Sequence, residues 1–212
     1  MSSSETRLRD EIAIFGKSLF DRGYGCGSSG NISVRLEDGL LVTPTNSCMG
    51  RLDPTRISKL DWQGKHISGD KPSKEGFLHL AMYQERPEER AVVHLHSTHS
   101  VAVSCLADID PKDVLPPITA YYVMRVGKLP LVPYFRPGDA ALAEAVRALA
   151  REHRAMLLAN HGPVVAGKAL DAAVYAAEEL EETAKLYLLL QGARTRFLDP
   201  EQIADLNLHF PS

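Results

Sequence analysis

The sequence Ala91-Val92-Val93-His94-Leu95-His96 predicts a buried β-strand that ends in two histidines. In a strand, side chains two residues apart point to the same face, so His94 and His96 should project side by side. Val93 and Leu95 should then face the opposite side of the sheet. Taken alone, the pair is also compatible with two partly buried histidines that bond to backbone carbonyls, since such pairs arise by chance.

A third histidine, His161, lies far downstream in the segment Ala159-Asn160-His161-Gly162-Pro163. Three histidine ligands leave the fourth tetrahedral position of a zinc ion open to water or substrate, which is how catalytic zinc is held. We therefore treat His94, His96 and His161 as a candidate metal site.

Composition narrows the class of protein. A chain of 212 residues with 44% hydrophobic residues fits one domain, spanning 1–212, with an ample core. The net charge of −3 leaves no basic face, so we expect no nucleic-acid partner. No apolar run approaches the roughly 20 residues of a membrane helix, and the first residues lack the hydrophobic stretch of a signal peptide. We therefore expect a cytoplasmic protein with no membrane partner. The three cysteines lack Cys-x-x-Cys spacing and indicate neither a disulfide framework nor a zinc ribbon.

The first part of the chain predicts a helix followed by strands. Apolar residues recur at helical spacing from Leu8 to Leu19, and a glycine-rich stretch over 23–31 follows. Residues 32–36 alternate between apolar and polar, and Asp38-Gly39 then turns the chain into the apolar run 40–43. This pattern predicts a β-hairpin, with further short strands between residues 57 and 68.

The rest of the chain mixes helices with strands. After Pro72-Ser73 the pattern predicts a helix that ends before Pro87, the histidine strand, a short helix over 97–106, and strands interrupted by prolines over 115–133. A helix over 139–153, a buried strand over 155–159 and a long helix ending at Gly192 complete the prediction. Hairpins mixed with helices favour a layered domain with a largely antiparallel sheet.

Several polar segments are ambiguous when taken alone. Ser73, Lys74 and Glu75 fall at a predicted helix start, where free N–H groups favour an anion, yet Ser73 could equally be an ordinary N-cap. The glycine-rich loop lacks both the P-loop lysine and the dinucleotide-binding spacing, so no nucleotide cofactor is implied. The acidic run over 178–182 predicts the solvated face of the last helix.

Five segments, taken in order, resemble the class II aldolase/adducin family, typified by L-fuculose-phosphate aldolase. The segments are Gly30-Asn31-Ile32-Ser33, Thr43-Pro44-Thr45, Pro72-Ser73-Lys74-Glu75, Val92-Val93-His94-Leu95-His96 and Asn160-His161-Gly162. The resemblance extends from about residue 8 to about residue 192. It implies an α/β fold with three layers, α/β/α, around a central, mostly antiparallel sheet. It also implies a fourfold-symmetric homotetramer with active sites at the subunit interfaces.

The same resemblance implies roles for individual residues. The ligands of a zinc ion, or of another divalent metal such as Mn2+ or Co2+, correspond to His94, His96 and His161. Glu75 corresponds to the catalytic acid/base. The phosphate-binding pocket corresponds to Ser28, Asn31, Thr45, Asn46 and Ser73. Tyr122, or alternatively Tyr121, falls where the neighbouring subunit donates a tyrosine.

Two departures from the aldolase pattern narrow the substrate. Lys74 stands where the aldolase has the second of two serines, and Asn46 replaces a glycine of the phosphate pocket. The combination resembles the family branch that decarboxylates 3-oxo-tetronate 4-phosphates, which are small phosphorylated sugar acids, to dihydroxyacetone phosphate and CO2. An additional cation at Lys74 suits a substrate with more negative charge.

Other activities related to this family are alternatives. A sugar-phosphate aldolase would cleave a ketose phosphate at the same site. Glu75 counts against a 4-epimerase, because the epimerases have aspartate there, and the complete histidine set counts against a non-enzymatic adducin-like scaffold. A dehydratase of methylthioribulose phosphate is a further alternative.

Overall fold

The computed structural model describes residues 3–210, and within them eight strands form one sheet. The strands are β1 (Asn31–Arg35), β2 (Gly39–Val42), β3 (Ser58–Asp61), β4 (His66–Ser68), β5 (Ala91–His94), β6 (Leu131–Val132), β7 (Ala155–Leu158) and β8 (Gly162–Gly167). Their order across the sheet is β4-β3-β2-β1-β5-β8-β7-β6. Every neighbouring pair is antiparallel except β6 and β7, which confirms the mostly antiparallel sheet.

Helices cover both faces of this sheet. They are α1 (Ser3–Asp21), α2 (Gly76–Glu85), α3 (Thr98–Ser104), α4 (Ala120–Arg125), α5 (Ala140–Ala150), α6 (Leu170–Leu189) and α7 (Pro200–His209). One apolar cluster joins one face of the sheet to α1, α3, α4 and α6. A second cluster joins the other face to α2 and α5. The expected three-layer α/β/α fold is therefore confirmed.

The histidine strand divides its side chains between the two clusters, as its alternation predicts. Val93 and Leu95 belong to the cluster beneath α1 and α6, whereas Val92 belongs to the cluster beneath α2. Side chains alternate along a strand, so His94 shares the face of Val92 and points toward the α2 side. The strand itself ends at His94, and His96 lies in the loop that leads to α3.

The prediction of interrupted strands over 115–133 is wrong for its central part, because residues 120–125 form α4. The Thr119 hydroxyl accepts a hydrogen bond from the backbone N–H of Tyr122 at 3.1 Å and so caps this helix. The helix packs against α6 and α7. Aromatic and β-branched residues favour strands only weakly, and here the cap and the helix packing outweigh that preference.

Two further elements, β8 and α7, were not predicted from the sequence. Gly162 and Pro163 argue against a central strand, yet the Pro163 carbonyl accepts a hydrogen bond from the backbone N–H of Leu95 at 3.2 Å. A capping box formed by Asp199 and Gln202 starts α7. Among residues 3–210, every helix is too short or too polar to traverse a bilayer.

Candidate active site

The candidate site lies at the ends of three adjacent central strands of the sheet, β1, β5 and β8. In the strand register, Asn31 of β1 lies opposite His94 of β5, and His94 lies opposite Val164 of β8. His96 follows β5 by two residues, and His161 directly precedes β8. The sheet therefore brings two distant parts of the chain to the same place.

Gly162 allows the close approach of these two chain segments. A Cβ atom at this position would lie 2.2 Å from the carbonyl oxygen of Leu95, and the φ angle of 152° is one that other residues rarely adopt. Only glycine can therefore bring the backbone beside His161 so close to the backbone beside His96.

Four side chains converge at these strand ends: Glu75, His94, His96 and His161. Their candidate ligand atoms all lie within 4.8 Å of one another. Nε2 of His94 lies 3.1 Å from Nε2 of His96 and 3.4 Å from Oε2 of Glu75. Nε2 of His161 lies 3.1 Å from the other carboxylate oxygen, Oε1. The three histidines named from the sequence thus surround one point, beside the predicted acid/base.

The hydrogen bonding of His94 shows which of its ring nitrogens is available to bind a metal ion. Its Nδ1 lies 2.8 Å from the Pro163 carbonyl, which can only accept, so Nδ1 carries the proton and Nε2 presents a lone pair. That lone pair faces a carboxylate oxygen and another imidazole nitrogen. Electron pairs so placed repel one another unless a proton or cation lies between them, and the donor set therefore fits a bound divalent metal.

The protonation states of His94 and His96 are also those that metal binding requires. Burial lowers the pKa of His94 to about 4. Burial, together with the neighbouring His161, also lowers the pKa of His96. Both imidazoles are therefore neutral near pH 7, the form in which histidine binds metals.

Glu75 immediately precedes α2 and is buried. Burial raises the pKa of its carboxyl, but His94, His161 and the Asn31 amide outweigh burial and hold the pKa well below its ordinary value. The Asn31 amide N–H donates to Oε2 at 2.7 Å. Glu75 is thus a carboxylate at neutral pH, with Oε2 held by Asn31.

The residues named for the phosphate pocket do not share one environment: Thr45, Asn46 and Ser73 lie on two adjacent segments, and only Thr45 and Asn46 line a cavity. Segments 43–45 and 71–73 run side by side, because Thr45 N–H donates to Lys71 O at 2.9 Å and Ser73 N–H donates to Thr43 O at 3.2 Å. Thr45 and Asn46 line a cavity of about 350 Å³. Ser73 accepts the Glu75 backbone N–H at 3.2 Å.

Ser28 and Asn31 are not among the residues that line that cavity. Ser28 is exposed on the glycine-rich loop, and Asn31 is 3% exposed with its amide on Glu75. The φ angle of Asn46 is 55°, a left-handed conformation that glycine adopts freely and asparagine tolerates. This backbone requirement explains why asparagine can occupy a position where the aldolase pattern has glycine.

Lys74 lies directly before Glu75 and is exposed. Helix α2 begins at Gly76, so Ser73 and Lys74 precede the helix instead of opening it. A second cavity, of about 510 Å³, opens beside His96 and His161 and is also lined by Tyr134 and Phe135. This cavity gives a small molecule direct access to the histidine cluster.

Tyr122, which the family resemblance matches to the tyrosine of a neighbouring subunit, is buried in the structure. Its side chain is 2% exposed and belongs to the apolar cluster on the α1 and α6 side of the sheet. Burial also raises the pKa of its hydroxyl. The Tyr122 side chain therefore packs in the core, whereas Tyr121 is 59% exposed beside Arg125.

The prediction that residues 178–182 form a solvated face is wrong for Glu181, which is buried. Its carboxylate accepts the backbone N–H groups of His99 and Ser100, both at 2.8 Å. It also accepts the Ser100 hydroxyl at 2.7 Å. Glu181 thus anchors the start of α3, two residues after His96, and helps to fix the loop that carries this histidine.

Residues 10–188 match the family model described as the class II aldolase and adducin N-terminal domain. The chain belongs to the class II aldolase and adducin family. A relative from Pectobacterium atrosepticum, named 3-oxo-tetronate 4-phosphate decarboxylase, is 55% identical over 97% of this chain and 94% of the relative. An L-fuculose phosphate aldolase from Escherichia coli K12 is 38% identical over 78% of this chain and 75% of its own.

A solved structure shows the same fold with a similar sequence. The crystal structure of YgbL from Escherichia coli superimposes with a TM-score of 0.94, and its sequence is 51% identical. The match covers 96% of this chain and 99% of YgbL. The similarity to the relative from Pectobacterium atrosepticum and to YgbL therefore extends over nearly the whole chain, well beyond the histidine segments.

Proposed function

We propose that this protein is a metal-dependent carbon–carbon lyase that decarboxylates a 3-oxo-tetronate 4-phosphate to dihydroxyacetone phosphate and CO2. The observation that carries the proposal is the convergence of three histidines on a buried carboxylate, Glu75. It occurs in a chain that is 55% identical to a relative named for this reaction. The 212 residues are proposed to act as one domain.

His94, His96 and His161 are proposed to hold one zinc ion. Imidazole ligands suit zinc among several metals, and three of them would leave one coordination position free for water or substrate. A cavity lined by His96 and His161 lies beside this set. Zinc bound there would supply a Lewis acid for the ketone oxygen of the substrate. The protein contributes the fixed orientation of the imidazoles, which for His94 is set by the hydrogen bond to the Pro163 carbonyl.

Glu75 is proposed to move the proton. A 3-oxo acid loses its carboxylate as CO2 when the electron pair of the breaking bond passes into the ketone and forms an enediolate. Protonation of the carbon that carried the carboxylate then gives dihydroxyacetone phosphate, so the net reaction consumes one proton. The resting carboxylate of Glu75 takes up that proton and delivers it to carbon, because its Oε1 lies on the His161 side where the cavity opens.

Lys74 is proposed to favour the more highly charged substrate. A carboxylate and a phosphate in one pocket repel each other, and an ammonium group offsets that repulsion more strongly than a hydroxyl. Lys74→Ser should lower kcat/KM for the oxo acid by roughly ten- to a hundredfold, the loss expected from one hydrogen bond to a charged group. Cleavage of fuculose phosphate, if measurable, should fall less.

The matched control is Lys71→Ser, which removes an exposed ammonium three residues upstream. Its kcat/KM should stay within about twofold of the wild-type value, as for an ordinary surface charge. Equal losses of kcat/KM in both variants would show that Lys74 contributes only to the overall positive potential of the surface and makes no specific contact with the substrate.

A homotetramer is proposed from the family resemblance, with Tyr121 reaching a neighbouring active site. Light scattering should give four subunits, and Tyr121→Phe should slow turnover roughly a hundredfold without dissociating them, as expected for loss of a positioned proton donor. Tyr122→Phe should keep normal turnover, because the Tyr122 hydroxyl is buried without a hydrogen-bond partner among residues 3–210. A fully active monomer would overturn the tetramer proposal.

The function is tested by incubating the purified protein with both epimers of the oxo acid phosphate and with fuculose phosphate. Release of CO2 from one oxo acid epimer at a much higher kcat/KM than aldehyde release from the ketose supports the decarboxylase. The opposite ranking would favour a sugar-phosphate aldolase, which the same cluster of histidines could also serve.

A further inference from the structure

A chain of buried hydrogen bonds runs from Glu75 into the core between α2 and β1. On the α2 side its members are spaced four residues apart, and on β1 two apart, so each set shares one face. The members on the α2 side are Glu75, which caps the helix, and His79 and Tyr83 within it, and the β1 members are Asn31 and Ser33. Ser33 and His79 are fully buried, and Asn31 and Tyr83 are 3% and 1% exposed.

The contacts along this chain are short and continuous. Asn31 Nδ2 lies 2.7 Å from Glu75 Oε2, and Asn31 Oδ1 contacts His79 Nε2. Ser33 Oγ lies 2.6 Å from His79 Nδ1 and 2.8 Å from the Tyr83 hydroxyl. Each of the side chains behind Glu75 thus has a hydrogen-bond partner inside the protein.

The direction of donation follows from the carboxylate, which can only accept. Since Glu75 accepts from Asn31, the Asn31 amide nitrogen faces Glu75 and its carbonyl oxygen faces His79. That oxygen also only accepts, so His79 must carry its proton on Nε2. Burial lowers the pKa of His79 to about 3, so the ring is neutral and its Nδ1 is an acceptor.

The remaining two protons are fixed in the same way. Ser33 must donate its hydroxyl proton to His79 Nδ1, and Ser33 Oγ then accepts the hydroxyl proton of Tyr83. Every donor in the chain therefore points toward Glu75, and the opposite direction would leave two acceptors facing each other in the core.

We propose that His79 is a positioning residue for Glu75, acting through Asn31. Its Nε2–H fixes the Asn31 amide so that the N–H group holds Glu75 Oε2. This arrangement leaves Oε1, on the His161 side, as the oxygen that faces the substrate. The proposal rests on the acid/base role of Glu75 given above. It gives His79, which contacts Glu75 only through Asn31, an indirect role in catalysis.

Substitutions of His79 by Gln and by Asn separate positioning from packing. A glutamine amide nitrogen lies near the position of the imidazole Nε2 and can still donate to Asn31, whereas the asparagine amide is one bond shorter and lies near Nδ1. His79→Asn and His79→Leu should lower kcat roughly ten- to a hundredfold, the loss expected from a misplaced catalytic group. KM and metal content should stay near wild type, and His79→Gln should recover kcat to within about fivefold.

Two readouts keep this test independent of the proposed substrate. The first is exchange of carbon-bound hydrogen of dihydroxyacetone phosphate with D2O, which reverses the protonation step whichever bond the enzyme normally breaks. The second is the 15N spectrum of the His79 ring in the wild-type protein, which should show the proton on Nε2. Loss of CO2 release with normal exchange and the Nε2–H tautomer would overturn the decarboxylase and retain the role of His79.

Two results would overturn the positioning role itself. One is a proton on Nδ1 of His79, because the chain of donors would then run the other way. The other is a folded His79→Leu or His79→Asn protein whose kcat and exchange rate remain within about twofold of wild type. If that second result came with a lower melting temperature, it would assign His79 to the core alone.

Discussion

Glu75→Gln should lower the turnover of the oxo acid phosphate by roughly a hundred- to ten-thousandfold, the range that general acid–base catalysis contributes. An amide has nearly the shape of a carboxylate but can neither take up nor deliver the proton that the reaction consumes. The three histidines should still bind metal, because their orientations do not depend on the charge of Glu75 alone. The measurement is kcat, alongside metal content by elemental analysis.

The control for this variant is Glu85→Gln, at the other end of α2, where the carboxylate pairs with Arg151 on the surface. Its turnover should stay close to wild type. If Glu75→Gln retained more than about a tenth of wild-type kcat with full metal content, another group would have to move the proton.

His96→Ala should lose most of the bound metal and, with it, turnover by more than about a hundredfold, since the loss of a ligand costs more than the 10- to 100-fold typical of outer-shell partners. Two imidazoles and a carboxylate would remain, a weaker set around the same point. Metal content per subunit and kcat are measured on the same preparation. Adding zinc back should restore activity only in part.

His66→Ala serves as the matched control, because His66 is exposed on the edge strand β4. It should keep wild-type metal content. Full metal content in His96→Ala would contradict the three-histidine site, as would a wild-type protein that binds no metal when purified without chelators and supplied with zinc.

Much of the site was predictable because its signals are local or come from the family pattern. The period of two along a strand predicts that His94 and His96 share a face, and this alternation continues past the end of β5, because Leu95 packs on the opposite face. His161 was named with this pair as a third possible ligand, but only the family resemblance supported placing it beside them, since nothing near it in the sequence indicates that β8 lies beside β5. Its position depends on Gly162, whose close contact with Leu95 is a long-range property.

The parts that failed depend on packing between distant segments. Tyr122 was assigned its role from the family resemblance, and the sequence does not show that its side chain is buried in α4. Glu181 looked solvated because its partners, His99 and Ser100, lie about eighty residues away. The spacing of Glu75, His79 and Tyr83 was visible in the sequence, but its meaning required the β1 strand that faces it.

The central claim is tested most directly by running the reaction in D2O with the oxo acid phosphate. CO2 and dihydroxyacetone phosphate should form in a one-to-one ratio. The product should carry a single deuterium, on the carbon that lost the carboxylate, because the proton delivered by Glu75 comes from solvent. Glu75→Gln should form neither product at a comparable rate. Release of an aldehyde without CO2, or of CO2 without any requirement for Glu75, would contradict the account.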